Sequence, residues 1–236
     1  MNQPFDARSD LADAPKVAGA KLRPRDAATL ILVRRDGGEP CVLMGRRAQG
    51  HVFMASKWVF PGGRVERADY HAPAASDLRP EQSALLARGA RRSLARALAL
   101  AAVRETFEET GLLLAKSVPP RPAAGPWREF LAQGALPDLE PLAYVARAIT
   151  PPGRARRFDA RFFMVEAEHL LSLDRSEGCG ELDEIAWIEL SRTDELDLPA
   201  ITKFVFSEVW ARMDQPARSI PFVRFVRGQH AIEFLD

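Results

Sequence analysis

Glu105, Glu108 and Glu109 stand at i, i+3 and i+4 in the stretch AAVRETFEETGL, residues 101–112. On a helix that spacing stacks the three carboxylates on one side. Leu100, Val103, Phe107 and Leu114 then fall on the opposite side, which is suited to a core. Like charges this close repel, so the cluster does nothing for an isolated helix and calls for a counter-charge. Ligands that are all oxygen select a hard divalent cation, Mg²⁺ or Mn²⁺. Gly111 follows the cluster and is suited to end the helix in a left-handed conformation. An acidic helix face is more often simply solvated, so the metal reading depends on what surrounds it.

The segment that must meet this helix lies upstream. Residues 58–66, WVFPGGRVE, form a short apolar run closed by Pro61, Gly62 and Gly63. A strand ending in a Gly-Gly turn lets backbone approach a ligand closely. Together the two stretches resemble the Nudix box, G-x5-E-x7-R-E-U-x-E-E-x-G-U with U aliphatic. Arg104, Glu105, Glu108, Glu109, Gly111 and Leu112 match its second half. Thr106 stands where the family has an aliphatic residue, and Asp69, separated from Gly63 by five residues, where it usually has Glu. Between Asp69 and Arg104 lie 34 residues, 27 more than the seven of the family pattern, so the box is split by an insert.

The resemblance implies an α/β fold: a Nudix α/β/α sandwich with a mixed curved sheet and a helical insert within the box. It implies a metal site at Glu105, Glu108 and Glu109, with the Gly63 carbonyl as a further ligand. Arg104 is then expected to hold the box carboxylates by salt bridges. Many family members place another glutamate, a metal ligand or general base, in a loop before a late strand. Glu181 and Glu184 are the candidates, and the spacing does not choose between them.

The whole chain is compatible with this. Its 236 residues suffice for one sizeable domain, read here as residues 25–236 after a loose arm at 1–24, with the insert at about 70–100. Apolar residues are 47% and charged ones 28%, ordinary for a globular protein, and the net charge of +1 gives no electrostatic case for nucleic acid. Cys41 and Cys179 form neither a disulfide framework nor a metal pattern and are expected to be buried thiols. The N-terminus is polar, no run approaches a membrane span, and the C-terminus is no peroxisomal address. A cytoplasmic location is therefore expected, without a membrane partner; a homodimer stays open.

Hydrophobic patterning places strands at 27–35 and 41–47 around the turn Asp36-Gly37-Gly38-Glu39-Pro40. Helix is expected from Pro80 to Arg96 beside the substrate cleft, with a break at Gly89, running on into the box helix. Strands follow at 142–149 and 157–165, then a packed C-terminal helix at 199–213 whose stripe Ile201, Phe204, Val205, Val209 and Trp210 reads as core.

Arginines are the candidate phosphate ligands, because a guanidinium fork matches two oxygens at once. Arg46, at the end of the second strand, resembles an arginine of Nudix hydrolases acting on dinucleotides and coenzyme A. The stretch TPPGRARRFDARFF, residues 150–163, resembles Nudix hydrolases similar to mammalian peroxisomal coenzyme A diphosphatase, which also tend to carry a split box. It nominates Arg154, Arg156 and Arg157. The implied reaction is hydrolysis of the diphosphate of an X-linked nucleoside diphosphate. Coenzyme A or acyl-coenzyme A is the lead substrate; ADP-ribose, NADH or a nucleotide sugar is the alternative. A ligand-binding Nudix module without catalysis is the competing reading.

Overall fold

The computed structural model describes residue 5 and residues 22–47, 57–174 and 182–235. Its centre is β1 (Arg25–Arg34), whose apolar run is continuous because both faces are covered. Alternate residues divide between two cores. Ala28, Leu30 and Leu32 join one with Leu43, while Ile31 and Val33 join the other with Val42 and Met44. The hairpin partner β2 (Cys41–Arg47) leaves β1 through the turn read from sequence.

β1 pairs antiparallel with β4 (Gly62–Arg64) on one side and parallel with β8 (Phe158–Glu166) on the other. β3 (Trp58–Val59) and β9 (Leu182–Glu189) pair with β2. Beyond β8 lie β7 (Ala143–Ile149), β10 (Ile220–Val226) and β11 (Gln229–Leu235), completing a mixed nine-stranded sheet. β5 (Ala115–Ser117) and β6 (Ala135–Pro137) form a separate ribbon.

Helices cover both faces, as the sandwich reading requires. On one face lie α1 (Pro80–Ala87), α2 (Arg92–Thr110) and the short α3 (Arg128–Ala132). On the other, α4 (Ala200–Asp214) buries Val205, Phe206 and Val209. Among the described residues no helix is long and apolar enough to cross a membrane.

α2 is the box helix. Ala95, Ala97, Ala99, Ala101 and Ala102 are all buried, and side chains this small let the helix lie close on the sheet. It ends at Gly111, which has φ 76° and donates its N–H to the Phe107 carbonyl at 2.7 Å. Leu114, read as part of the helix's apolar face, lies past this end but is buried all the same. Thr106 fits an apolar site because its hydroxyl donates to the Ala102 carbonyl at 2.8 Å.

The insert packs on the box helix. It is helical at α1 and again from Arg92, with a break at 88–91. Arg96 donates to Asp77 and to the Ala72 carbonyl, so the segment leading into α1 is tied to the N-terminal third of α2. By helical rise that is about 18 Å from Glu108. The part of the split box that meets the acidic end is instead the 3-10 turn Arg67–Tyr70. Where the insert returns, the Gly89 carbonyl lies 3.5 Å from Arg161 Nη2. Arg161 also binds Asp26 at 2.8 Å and Asp159, and Arg147 binds Asp159 while lying 4.4 Å over the Phe222 ring.

Two smaller readings change. Trp210 is 46% exposed, outside the core assigned to it. Cys41 is half-buried, and Cys179 lies outside the described residues. From the arm, the Phe5 ring packs edge-on to Phe204 and His230 at 5.6 and 4.9 Å.

Leu86 is 2% exposed within the α2 core, so the insert shares the domain's apolar interior. Leu86→Ala should therefore cost about 2–4 kcal/mol. Urea unfolding followed by circular dichroism checks this; a loss below about 0.5 kcal/mol would show the insert to be an appendage.

Candidate active site

The site begins with two glycines. Gly63 lies opposite Ala28 and Gly62 opposite Thr29 in the β4–β1 pair. A Cβ on Gly63 would overlap the Glu105 carboxylate, and one on Gly62 would stand 2.6 Å from the Ala28 carbonyl oxygen. No side chain fits at Gly62 against β1, and one at Gly63 would have to displace the Glu105 carboxylate. The Gly62 N–H donates to Glu109 Oε2 at 3.0 Å. The acidic side of the helix is therefore covered: Glu109 is buried, and Glu105 and Glu108 keep 15% and 31% side-chain exposure. The solvent-facing arrangement suggested by helical spacing does not hold, because β4 and the Arg67–Tyr70 turn pack over it.

Arg104, 2% exposed, holds these pieces together. Its Nε donates to Asp69 Oδ1 at 2.9 Å, and Nη2 to Asp69 Oδ2 at 3.1 Å and to the Arg64 carbonyl at 3.0 Å. Nη1 lies 2.8 Å from Glu105 Oε1 and 2.9 Å from Glu108 Oε2. Every N–H direction of the guanidinium thus meets an acceptor. Burial opposes its charge, but Asp69, Glu105 and Glu108 outweigh that and hold it well above the ordinary arginine value. Glu108 is pushed up to about 7, first by desolvation and then by Glu105 and Glu66, against the pull of Arg104.

Among the described residues, no three acidic, His or Cys side chains are arranged as a ready-made metal cage. The box carboxylates are distributed instead: Glu105 and Glu108 to Arg104, Glu109 to the Gly62 N–H. Their donor set is nonetheless all oxygen and sits against a turn stripped of side chains, which fits a hard divalent cation. Glu105 and Glu108 would have to turn off a single nitrogen, Nη1, to hold such an ion.

The other candidates fall in two places. Arg46 and Glu184 face each other across β2 and β9 and form an ion pair at 3.1 Å. Glu184 is thus on a strand, and Glu181 lies outside the described residues. Arg154, Arg156 and Arg157 occupy the turn between β7 and β8, at the end of the sheet where β1 begins: the Arg25 N–H donates to the Arg157 carbonyl. Arg154 is buried and Arg156 exposed. Arg157 donates to the Thr150 and Leu22 carbonyls at 3.0 and 2.6 Å. The residues that sequence reasoning passed over are Asp69, whose offset from Gly63 was visible but whose role was not, Glu66, and Trp127, which nothing in the motif signals.

A mixed sheet between helices, with a Gly-Gly turn locked against an R-E-x-x-E-E helix, is the arrangement of the Nudix fold, and the chain has that fold. It is similar to a Nudix hydrolase from Alicyclobacillus acidocaldarius, with TM-score 0.57 and 28% identity over 83% of this chain and 98% of that one. Among curated proteins it is similar to the acyl-coenzyme A diphosphatase NUDT19 of Gallus gallus, 31% identical over 59% of this chain. The chain spans only 54% of that relative's length. The Nudix domain of Shewanella oneidensis NrtR, solved with ADP-ribose, shares the fold at TM-score 0.50 and 11% identity. No protein-family model matches the chain.

The raised proton affinity of Glu108 makes a signed prediction. Ionising it costs stability, and that cost sets in as pH rises from the ordinary carboxylate range through about 7. Gln carries no such cost. In the presence of a chelator, Glu108→Gln should gain about 1–3 kcal/mol on the wild type between pH 5 and pH 8. Paired urea titrations test this, and parallel pH profiles would show that Glu108 is not desolvated as described.

Proposed function

We propose that this chain is a metal-dependent diphosphohydrolase that cleaves the phosphoanhydride of an X-linked nucleoside diphosphate, with coenzyme A or acyl-coenzyme A as the lead substrate. The observation that carries the reading is the packing of Glu105, Glu108 and Glu109 against Gly62 and Gly63 under one buried arginine. A diphosphate repels an incoming hydroxide, so hydrolysis needs concentrated positive charge and a proton acceptor. Glu105, Glu108, Glu109 and the Gly63 carbonyl would hold Mg²⁺ or Mn²⁺, which when bound neutralises diphosphate charge and acidifies a water. Arg104 would keep the carboxylates in register and stay away from substrate, its donors being filled. A glutamate takes the proton from the attacking water. Glu184, the described candidate outside the box, is engaged by Arg46, so the proton falls to a box glutamate.

The lead substrate rests on the likeness to the avian acyl-coenzyme A diphosphatase and on the arginine turn 154–157, which lies at the same end of the sheet as β4. Within that turn, exposed Arg156 is the ligand for substrate phosphate, and Arg157 serves the turn itself. A panel of coenzyme A, acyl-coenzyme A, ADP-ribose, NADH and nucleotide sugars, with the products identified, tests the assignment. No turnover of any diphosphate with Mg²⁺ or Mn²⁺ would leave a binding module.

Two substitutions follow. Glu108→Gln should lower kcat by about 10²–10⁴-fold at saturating Mg²⁺ while the fold persists. Glu81→Gln, on the exposed face of α1, serves as the control and should have no effect. Glu66, outside the family's required positions, is too near Glu108 electrostatically to serve as that control. Near wild-type kcat in Glu108→Gln would end the hydrolase reading. Separately, Arg156→Ala should raise KM about 3–10-fold with kcat and Tm unchanged, whereas Arg157→Ala should lower Tm. The reverse pattern would exchange their roles.

A further inference from the structure

Asp69 is fully buried and accepts four hydrogen bonds, two on each carboxylate oxygen. Oδ1 takes Arg104 Nε at 2.9 Å and the Trp127 indole Nε1 at 3.0 Å; Oδ2 takes Arg104 Nη2 at 3.1 Å and the Glu66 N–H at 2.7 Å. Trp127 comes from outside the box, in the 3-10 turn Gly125–Trp127 that leads into α3. Its ring is 3% exposed and stands edge-on to Phe130 at 5.3 Å, and Phe130 in turn stands edge-on to Phe107 of α2 at 5.2 Å. A buried indole N–H needs an acceptor, and here the acceptor is the counter-charge of the buried arginine. Trp127 is thus braced against the box helix through its ring and against the 3-10 turn through its nitrogen.

We propose that Trp127 is a positioning residue for the acidic site: by fixing Asp69 it sets how the charge of Arg104 is divided between Asp69 and the pair Glu105–Glu108. This rests on the reading of those glutamates as cation ligands. The more firmly Arg104 is held by Asp69, the less it competes with a cation for Glu105 and Glu108. When the indole N–H is lost, Oδ1 keeps only Arg104 Nε, while Oδ2 stays on Arg104 Nη2 and the Glu66 N–H, so the carboxylate is free to pivot about Oδ2. Asp69 then turns, and Arg104 moves its charge onto Glu105 and Glu108, where it opposes cation binding.

The test uses the full chain and the metal alone. Trp127→Phe keeps the ring and its contact with Phe130 but has no N–H. Its dissociation constant for Mn²⁺, read by electron paramagnetic resonance of the free ion, should rise about 3–10-fold, and that of Asp69→Asn should rise further. A lowered Tm with unchanged Mn²⁺ affinity in both variants overturns the inference and leaves Trp127 a packing residue. The wild type supplies a second readout, independent of any variant's folding. Four tryptophans give four indole N–H resonances in ¹H–¹⁵N spectra, and the one lost in Trp127→Phe is its own. Mg²⁺ draws Glu105 and Glu108 off Arg104, which then leans on Asp69, so that resonance should move on titration. A resonance that stays still at saturating Mg²⁺ also overturns the inference. Failure of the hydrolase reading looks different: Mg²⁺ moves the indole signal, yet no diphosphate is turned over.

Discussion

A guanidinium can be taken out of water only if its donors are filled, and Arg104 is the group on which this domain's arrangement turns. An unpaired buried charge costs several kcal/mol, so each acceptor around Arg104 must be delivered to its place. β4 supplies the Arg64 carbonyl, the 3-10 turn supplies Asp69, and one further turn of α2 supplies Glu105 and Glu108. The glycines at 62 and 63 permit the distance at which those acceptors arrive. Sheet, turn and helix therefore meet at one cation, and the acidic cluster is held close by the same contacts that make the interior electrically tolerable.

That arrangement also accounts for a site that is acidic yet assembled. Glu105 and Glu108 share a single nitrogen of Arg104, and Glu109 rests on a backbone N–H. Each is stabilised by a hydrogen bond of modest net worth. A divalent cation would offer more charge than either partner, and under the proposed function the glutamates would exchange one positive neighbour for another.

Much of this was legible in the sequence where the signal is local. The alternation in β1 divides Leu30 and Leu32 from Ile31 and Val33 as a strand covered on both faces must. Gly111 ended the helix where a left-handed residue was needed, and the Gly-Gly turn marked a close approach. What spacing could not give is burial. Helical periodicity put the three glutamates on one side but had no knowledge of β4 covering it. Trp210 looked like core because a stripe records amphipathicity and not where the sheet stops. The arginines nominated for phosphate, Arg154, Arg156 and Arg157, are flanked by Arg147 and Arg161, whose charges are met by Asp26 and Asp159. Partners brought together by strand register are 12 to 135 positions apart, and no window reaches that far.

The split box has a consequence for how the site comes into being. Asp69 and Arg104 are 35 positions apart, where the family's unsplit pattern would bring these two halves together within a few turns of chain. Lengthening the enclosed segment from about 7 to about 34 residues adds roughly 1.4 kcal/mol of loop-closure entropy. The segment offsets this with contacts of its own, among them Leu86 in the core and Gln82, whose side chain accepts the Tyr144 N–H at 2.7 Å. In a chain built this way the Asp69–Arg104 bond is a non-local contact. Its two halves meet by closing the loop that carries the insert, and the insert's own packing in the core offsets the added cost of that closure.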